Sequence, residues 1–200
     1  MKLINIRFNK KNLSSKINKK SLNWAINYLK KKIYKSNYIN HTQTTLNIVE
    51  CIIIDKCSPI IDKYKKLVKF NNKNESFLIS PLSIKYNKII TYGSDLRGLI
   101  YAITEIADRV ENLITSKNIL QEIFLKTIES PKTKIRSISK CFESDIEDLP
   151  WYRNKIMWKE YLDMLVTNRF NRFTFTLGMQ YNYPYGNEFI MGEILERDVK

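Results

Sequence analysis

The sequence has no apolar run long enough to cross a lipid bilayer. A membrane-spanning helix needs roughly 18 apolar residues in a row, whereas runs such as residues 51–54 are far shorter. The first residues carry a charge at Lys2 but neither the apolar segment of about 7 to 15 residues nor the small-residue cleavage site of a secretory signal. We therefore predict a cytoplasmic protein with no membrane partner.

The sequence is also poor in residues that form disulfides or bind transition metals, with three cysteines and one histidine. Three cysteines cannot all pair with one another, and Cys51 lies in an apolar run where a buried thiol behaves as a small hydrophobic side chain. Cys51 and Cys57 are six positions apart, which matches none of the short spacings of zinc sites. We predict reduced cysteines, no metal site and no cofactor.

Acidic residues are absent from residues 1–40, which hold eleven lysines and arginines, whereas the rest of the chain has 23 basic and 20 acidic residues. The net charge of +14 is therefore a local feature of the N-terminus. Together with the rings of Trp24, Tyr28, Tyr34 and Tyr38, this segment could bind a polyanion. However, 26 of the 34 basic residues are lysine, and no nucleic-acid-binding motif is present, which disfavours nucleic acid.

Apolar periodicity predicts a helix and a strand in the first 60 residues. The helix has one apolar stripe, with Ser21 as its predicted N-cap. The stripe consists of Leu22, Ala25, Ile26, Leu29 and Ile33. Residues 44–54 are apolar and β-branched with one charge, which is typical of a buried strand.

The next segment predicts a hairpin followed by a helix. Residues 59–70 fit either a short helix or a loop, whereas residues 75–80 and 88–93 read as two strands across a turn. Helical spacing then runs over residues 95–110, and Gly98 on the first turn would let the helix approach a strand closely. We predict an antiparallel or mixed sheet over residues 44–112, with this helix packed on one face.

A polar stretch around Pro131 marks a domain boundary. Beyond it, residues 135–139 predict a strand, residues 141–155 a polar loop, residues 155–167 a helix and residues 171–177 a parallel strand. This order is a βαβ unit, which belongs to parallel sheets and (β/α)₈ barrels. We expect Asn168 and Arg169 to end the helix by bonding to backbone. The predicted fold class is thus α/β (α+β), with an α+β domain at 1–128 and a barrel start at 134–200.

One phrase carries a resemblance to a known group of enzymes. A strand followed by Gly93, Asp95, Arg97, Gly98 and Tyr101 at the opening of a helix resembles the small α+β domain before the catalytic barrel in family 20 hexosaminidases, family 67 α-glucuronidases and their relatives. The βαβ unit that follows is similar to the first strand, helix and second strand of their (β/α)₈ barrel. The resemblance covers roughly residues 45–178.

The resemblance implies a glycoside hydrolase that acts on a carbohydrate substrate. Glycoside hydrolysis needs a carboxylic acid and usually a second carboxylate, and in these families the acid lies on a later barrel strand. A complete barrel takes about 250 residues, so we expect residues 1–200 alone to be inactive, with Phe173, Phe175 and Leu177 lacking most covering partners. The alternative is a non-enzymatic basic module that binds polyanions through residues 1–40.

Two loops follow the predicted strands where a barrel places its active site. The first loop has four acidic residues that could line a sugar site or bind a cation, although Asp145 and Asp148 could instead cap the following helix. These residues are Glu143, Asp145, Glu147 and Asp148. The second offers amide and aromatic groups that suit a sugar ring at Gln180, Tyr181, Asn182 and Tyr183, or it is an irregular loop closed by Pro184 and Gly186.

Two arginines have structural interpretations. We expect Arg97 to form an ion pair at a domain interface rather than to contact a ligand. Arg136 opens the first barrel strand at the end opposite the usual active-site face, where a charge favours stability rather than chemistry.

Overall fold

The computed structural model describes residues 3–39, 46–64, 66, 73–112, 123–143 and 145–177. The chain divides into two compact units, Met1–Lys132 (unit 1) and Thr133–Lys200 (unit 2). No helix among these described residues is both long and apolar enough to cross a membrane.

Unit 1 contains a five-stranded sheet in the order β1-β2-β4-β3-β5. The strands are β1 (Leu3–Asn9), β2 (Leu46–Asp55), β3 (Phe77–Ser83), β4 (Lys88–Gly93) and β5 (Thr127–Glu129). Strands β1, β2 and β4 run parallel to one another, whereas β3 is antiparallel to both β4 and β5. The sheet is therefore mixed, and the predicted β3–β4 hairpin is confirmed.

Strand β1 was not predicted from the sequence. Its even-numbered Ile4 and Ile6 are buried, and they alternate with polar Asn5 and charged Arg7. This alternation is the period of a strand with one buried face. In this basic segment the alternation is short, and the sequence pattern around it is typical of a solvent-exposed surface.

Two helices form a layer on one face of the sheet. Helix α1 (Lys19–Ile39) packs against β1 and helix α2 (Leu96–Asn112), and α2 packs against β2, β3 and β4. All five residues of the predicted α1 stripe are buried, as that prediction required. The predicted cap is wrong, because the helix begins two residues earlier. The Asn18 carboxamide accepts from the backbone N–H groups of Lys20 and Ser21, at 2.9 and 3.4 Å.

Helix α2 begins where the sequence predicts. The Asp95 carboxylate accepts hydrogen bonds from the N–H groups of Gly98 (2.8 Å) and Glu75 (3.0 Å), so one side chain caps the helix and holds the start of the hairpin. A Cβ atom on Gly98 would lie 2.4 Å from the Ser76 carbonyl oxygen. The predicted close approach of helix and strand is confirmed.

Arg97 forms an ion pair with Glu75, with 2.8 Å between Nη1 and Oε1. Glu75 is only 8% exposed, and the hydrogen bond to it is the main cause that raises the pKa of Arg97. Both residues belong to unit 1. The structural role predicted for Arg97 therefore holds, but its partner lies within one unit rather than at a domain interface.

The other face of the sheet is covered by the segment after β2. Ile54, Leu78, Ile90 and Tyr92 are buried there against partly buried residues of that segment, including Ile60, Ile61 and Tyr64. A 3₁₀ helix spans Ile61–Tyr64, which resolves part of the ambiguity over residues 59–70. The sheet of unit 1 thus buries apolar side chains on both faces.

Polar side chains are also buried in this sheet, and two of them have a clear structural setting. Cys51 is fully buried with its Sγ 3.1 Å from the Thr91 hydroxyl, and burial raises its pKa to about 12. At the end of β2, the buried Asp55 accepts from the Ser14 N–H (3.1 Å) and the Ser14 hydroxyl (2.6 Å). The thiol is inert, as predicted, and Asp55 fastens the β1–α1 connection to the sheet.

Unit 2 contains β6 (Ser137–Phe142), α3 (Asp145–Tyr152), α4 (Lys155–Thr167) and β7 (Arg172–Leu177). Strands β6 and β7 pair in parallel, from Ser137 beside Arg172 to Phe142 beside Leu177. The predicted βαβ unit is therefore confirmed. Helix α3 replaces part of the predicted polar loop, because Trp151 and Tyr152 at its end contact the ring of Phe142 and tertiary packing outweighs the helix-breaking effect of Pro150.

The amino ends of the two strands are tied together by side chains. The Asn168 carboxamide donates to the Met164 carbonyl (2.9 Å), which ends α4 as expected. Arg169 follows with a positive φ of 65°. Its carbonyl accepts from Arg136 Nε at 2.6 Å, and Arg136 also donates to the Thr133 carbonyl at 3.0 Å. Arg136 therefore has the structural position that the sequence predicts.

Candidate functional site

Strand β6 has two faces of different chemistry. Ile138, Lys140 and Phe142 lie on one face, and Ser139 and Cys141 lie on the other, because side chains alternate along a strand. Register places Phe173 beside Ile138 and Phe175 beside Lys140. The helices of unit 2 cover the first of these faces.

The covered face is filled by aromatic rings. They form one network, with neighbouring ring centroids 5.1 Å apart at the closest pair and 6.3 Å at the widest. Its members, which we call the aromatic cluster, are Phe142, Trp151, Tyr152, Trp158, Tyr161, Phe173 and Phe175. Phe173 and Phe175, which we expected to lack most covering partners, therefore have several ring partners on this face, and both side chains remain half-buried. The side chain of Leu177 lies outside the described part of the structure.

Asp148 organises the loop that follows β6. Its Oδ2 accepts from the Glu143 backbone N–H, and its Oδ1 accepts from the Trp151 indole N–H, both at 2.7 Å. Asp148 thus fixes the path of the acidic loop against α3. The prediction that Asp148 caps the following helix is wrong for α4, because Asn154 accepts from the N–H groups at its start.

Glu143 lies near the uncovered face of β6. Burial is the main cause that raises the pKa of the Cys141 thiol, followed by the nearby Glu143 carboxylate, which accepts a hydrogen bond from it, and by Asp148. Glu143 itself is exposed. At the carboxyl end of β6, Glu143 therefore presents an exposed carboxylate that can accept hydrogen bonds from hydroxyl groups, whereas the Asp148 carboxylate is held by neutral donors.

Lys140 belongs to the same region and was missed by the sequence analysis. Its Nζ lies 3.9 Å from the centre of the Trp151 ring, within the range of a cation–π contact. The ammonium group therefore lies over the aromatic cluster, next to the acidic loop. The sequence does contain a sign of this position. Lys140 lies two residues from both Ile138 and Phe142, and the two-residue period of a strand places all three side chains on one face.

The remaining predicted site residues are less well placed. Gln180 and Tyr181 lie outside the described residues, as does the side chain of Asp145, the first residue of α3. Glu147 is described and exposed. Within the described ranges, no group of three or more His, Cys, Asp or Glu side chains could hold a metal ion.

No protein-family model matches the sequence, and no curated protein matches it. The solved structures that share its fold include two glycoside hydrolases. One is a family GH138 enzyme targeting pectin rhamnogalacturonan II, with a TM-score of 0.56 and 20% identity over 86% of this chain and 18% of that chain. The other is a family GH115 4-O-methyl-α-glucuronidase with specificity for decorated arabinogalactans, with a TM-score of 0.54 and 16% identity over 88% of this chain and 25% of that chain.

The fold of the chain is therefore distantly similar to that of glycoside hydrolases. The chain spans 18% and 25% of the length of the two enzymes. At 16–20% identity, the likeness concerns the fold alone.

Proposed function

We propose that the chain is the N-terminal portion of a carbohydrate-active glycoside hydrolase, an enzyme that hydrolyses O-glycosyl bonds. Unit 1 would be an accessory α+β domain, and unit 2 would be the beginning of a (β/α)₈ barrel. The observation that carries this proposal is the parallel β6–α4–β7 unit after a mixed five-stranded sheet, in a chain whose fold is like that of two glycoside hydrolases.

Within this class we favour the group of family 20 hexosaminidases and family 67 α-glucuronidases. The two similar structures belong to other families, GH138 and GH115, so this finer grouping rests on the resemblance in the sequence. The shared phrase itself has structural roles here, since Asp95 caps α2, Arg97 pairs with Glu75 and Gly98 permits a close contact. This sequence motif therefore supports the fold. The specificity for a particular sugar depends on the loops instead.

The acidic loop supports a substrate-contacting role for Glu143. Barrel enzymes use the loops at the carboxyl ends of their strands, and Glu143 directly follows β6 with its carboxylate exposed. Asp148 would position it, because the Asp148 carboxylate holds the Glu143 backbone. We place the acid and the nucleophile or base of hydrolysis, which lie roughly 5 to 10 Å apart, on other strands of the barrel.

The test is binding of neutral and uronate oligosaccharides to the purified chain by isothermal titration calorimetry. We expect Glu143→Gln to weaken binding about tenfold, because hydrogen bonds to a charged acceptor are lost. Glu160→Gln is the matched control, since it removes the same charge from an exposed position in α4. Equal losses in both variants, or no binding by the wild type, would contradict the proposal.

The alternative function, polyanion binding through residues 1–40, finds less support. Several of these basic residues belong to the packed elements of unit 1 rather than to a separate arm. Lys32 and Lys35, for example, both pair with Glu111 of α2. Retention of the chain on single-stranded DNA, with a steep dependence on salt, would favour the alternative.

A further inference from the structure

A groove of about 520 Å³ lies on the face of the sheet of unit 1 that is opposite the two helices. Arg7 of β1 is directly beside Glu50 of β2, and Asn5 is beside Ile48, so these side chains share that face. Tyr86, from the turn between β3 and β4, lines the groove as well. Its volume is typical of sites for small ligands.

The charge of the groove is positive. Arg7, Lys10 and Lys11 all line it and are exposed. The acidic lining residue, Glu50, pairs with Lys88 at 2.9 Å, and that contact is the main cause that lowers its pKa. Because Lys88 neutralises the charge of Glu50, the net charge of the groove comes from Arg7, Lys10 and Lys11.

The groove also offers an apolar platform. Tyr86 is 65% exposed, and Ile48 beside it in the lining is 37% exposed. The lining also holds the Asn9 amide, which donates to Glu50 at 3.5 Å, and Lys85 Nζ lies 5.6 Å from the centre of the Tyr86 ring. An aromatic ring and an amide in one groove suit the mixed apolar and polar surface of a sugar ring. A guanidinium group binds a carboxylate through two parallel hydrogen bonds.

We propose that this groove binds an acidic oligosaccharide, with a sugar carboxylate at Arg7, a sugar ring on Tyr86, and Lys10 and Lys11 adding attraction. The carbohydrate part of this inference rests on the proposed function. A short glycan suits the groove better than nucleic acid, because the volume is in the range of small-ligand sites and the described lining contains a single exposed tyrosine rather than a row of stacking rings.

The experiment titrates the full 200-residue chain with a galacturonate tetrasaccharide and with a neutral galactose tetrasaccharide, following amide and tyrosine ring signals by NMR. We expect at least tenfold weaker binding of the neutral ligand. Arg7→Gln should weaken uronate binding about tenfold, and Tyr86→Ala should weaken both ligands. Lys20→Gln, an exposed base in the first turn of α1, is the matched control and should leave affinity unchanged.

The outcomes separate this inference from the proposed function. Uronate binding that Glu143→Gln weakens but Arg7→Gln leaves intact would overturn the groove site while the glycoside hydrolase proposal stands. Binding that needs Arg7 but not Glu143 would support the groove alone. Tighter, Arg7-dependent binding of single-stranded DNA than of the uronate would overturn the carbohydrate assignment.

Discussion

The two units of the chain build their interiors from different side chains. Unit 1 buries aliphatic residues on both faces of a five-stranded sheet, and many of them, such as Ile53, Leu78 and Leu99, are completely inaccessible. The two strands of unit 2 are covered on one face by the aromatic cluster, whose rings are half-buried. Among the described residues of unit 2, Leu165 is the hydrophobic side chain that reaches full burial.

This difference concerns how each unit is stabilised. An aliphatic core depends on the apolar area removed from water, so each lost methylene matters. Partly exposed rings depend more on their mutual edge-to-face contacts, which add about 0.5 to 1.5 kcal/mol per pair. Ser139 and Thr174, on the opposite face of β6 and β7, are exposed.

The largest expected effect is that of Leu99→Ala in unit 1. Leu99 is fully buried on α2, so the variant leaves a cavity and should lower the free energy of unfolding by about 3 kcal/mol. Urea unfolding followed by circular dichroism measures this change. Tyr34→Ala, at a ring that is 72% exposed, is the control and should change stability by less than about 0.5 kcal/mol. Comparable losses in the two variants would refute the core assignment.

A smaller effect is expected for Trp158→Ala in unit 2. The Trp158 ring contacts Trp151, Tyr161, Phe173 and Phe175, and its indole N–H donates to the Tyr152 carbonyl at 2.7 Å. Because the ring is half-buried, we expect a loss of about 2 kcal/mol.

Tryptophan fluorescence can assign that loss to a unit. Trp24 is in α1, and Trp151 and Trp158 are in unit 2. The Trp158→Ala variant should shift the unfolding transition reported by Trp151 and leave the one reported by Trp24 in place. A common shift of both would show that the units unfold as one, contrary to the comparison.

The smallest effect concerns pH and the contact between α1 and α2. A hydrogen bond from Lys32 is the main cause that lowers the pKa of Glu111. A carboxyl group with a lowered folded pKa adds stability above its unfolded pKa of about 4.3, and this stability is lost as pH falls through the folded value. The pair is partly exposed, so the contribution is about 0.5 kcal/mol.

Glu111→Gln should therefore narrow the difference in unit 1 stability between about pH 7 and about pH 2.5 by that amount. Urea unfolding at the two pH values gives the difference. Glu147→Gln, on unit 2, should leave it unchanged. An unaltered pH dependence in Glu111→Gln would mean that the ion pair contributes nothing in solution.

Helical stripes and the βαβ order could be read from the sequence because each depends on local spacing. The α1 and α2 stripes repeat every three or four residues, and the order from β6 to β7 needs no knowledge of distant partners. Strand β1 was not predicted because its exposed positions are polar or charged and lie in a basic segment. Helix α3 was not predicted because Pro150 and its acidic neighbours are typical of loops. Its formation depends on ring contacts with Phe142 and Phe175, which only the tertiary structure brings together.

The candidate sites show the same limit. The sequence indicates both Glu143 and Asp148 as candidate site residues, but it does not distinguish their roles. The two hydrogen bonds that hold Asp148 form only when the loop folds back on itself. The groove depends on the register that places Arg7 beside Glu50, more than 40 positions away. No spacing rule within the N-terminal segment could reveal that pairing.

The Ser14–Asp55 hydrogen bonds have a consequence for the thermodynamics of binding at the groove. Lys10 and Lys11 belong to the connection between β1 and α1 that these bonds hold. Within that connection the Leu13 N–H donates to the Lys10 carbonyl at 3.2 Å and closes a turn. The backbone under both cations is therefore fixed before a ligand arrives, and association loses less conformational entropy than it would with a loose basic tail. Two lysine side chains that start from fixed backbone positions should favour ligands whose carboxylates are spaced to reach both ammonium groups.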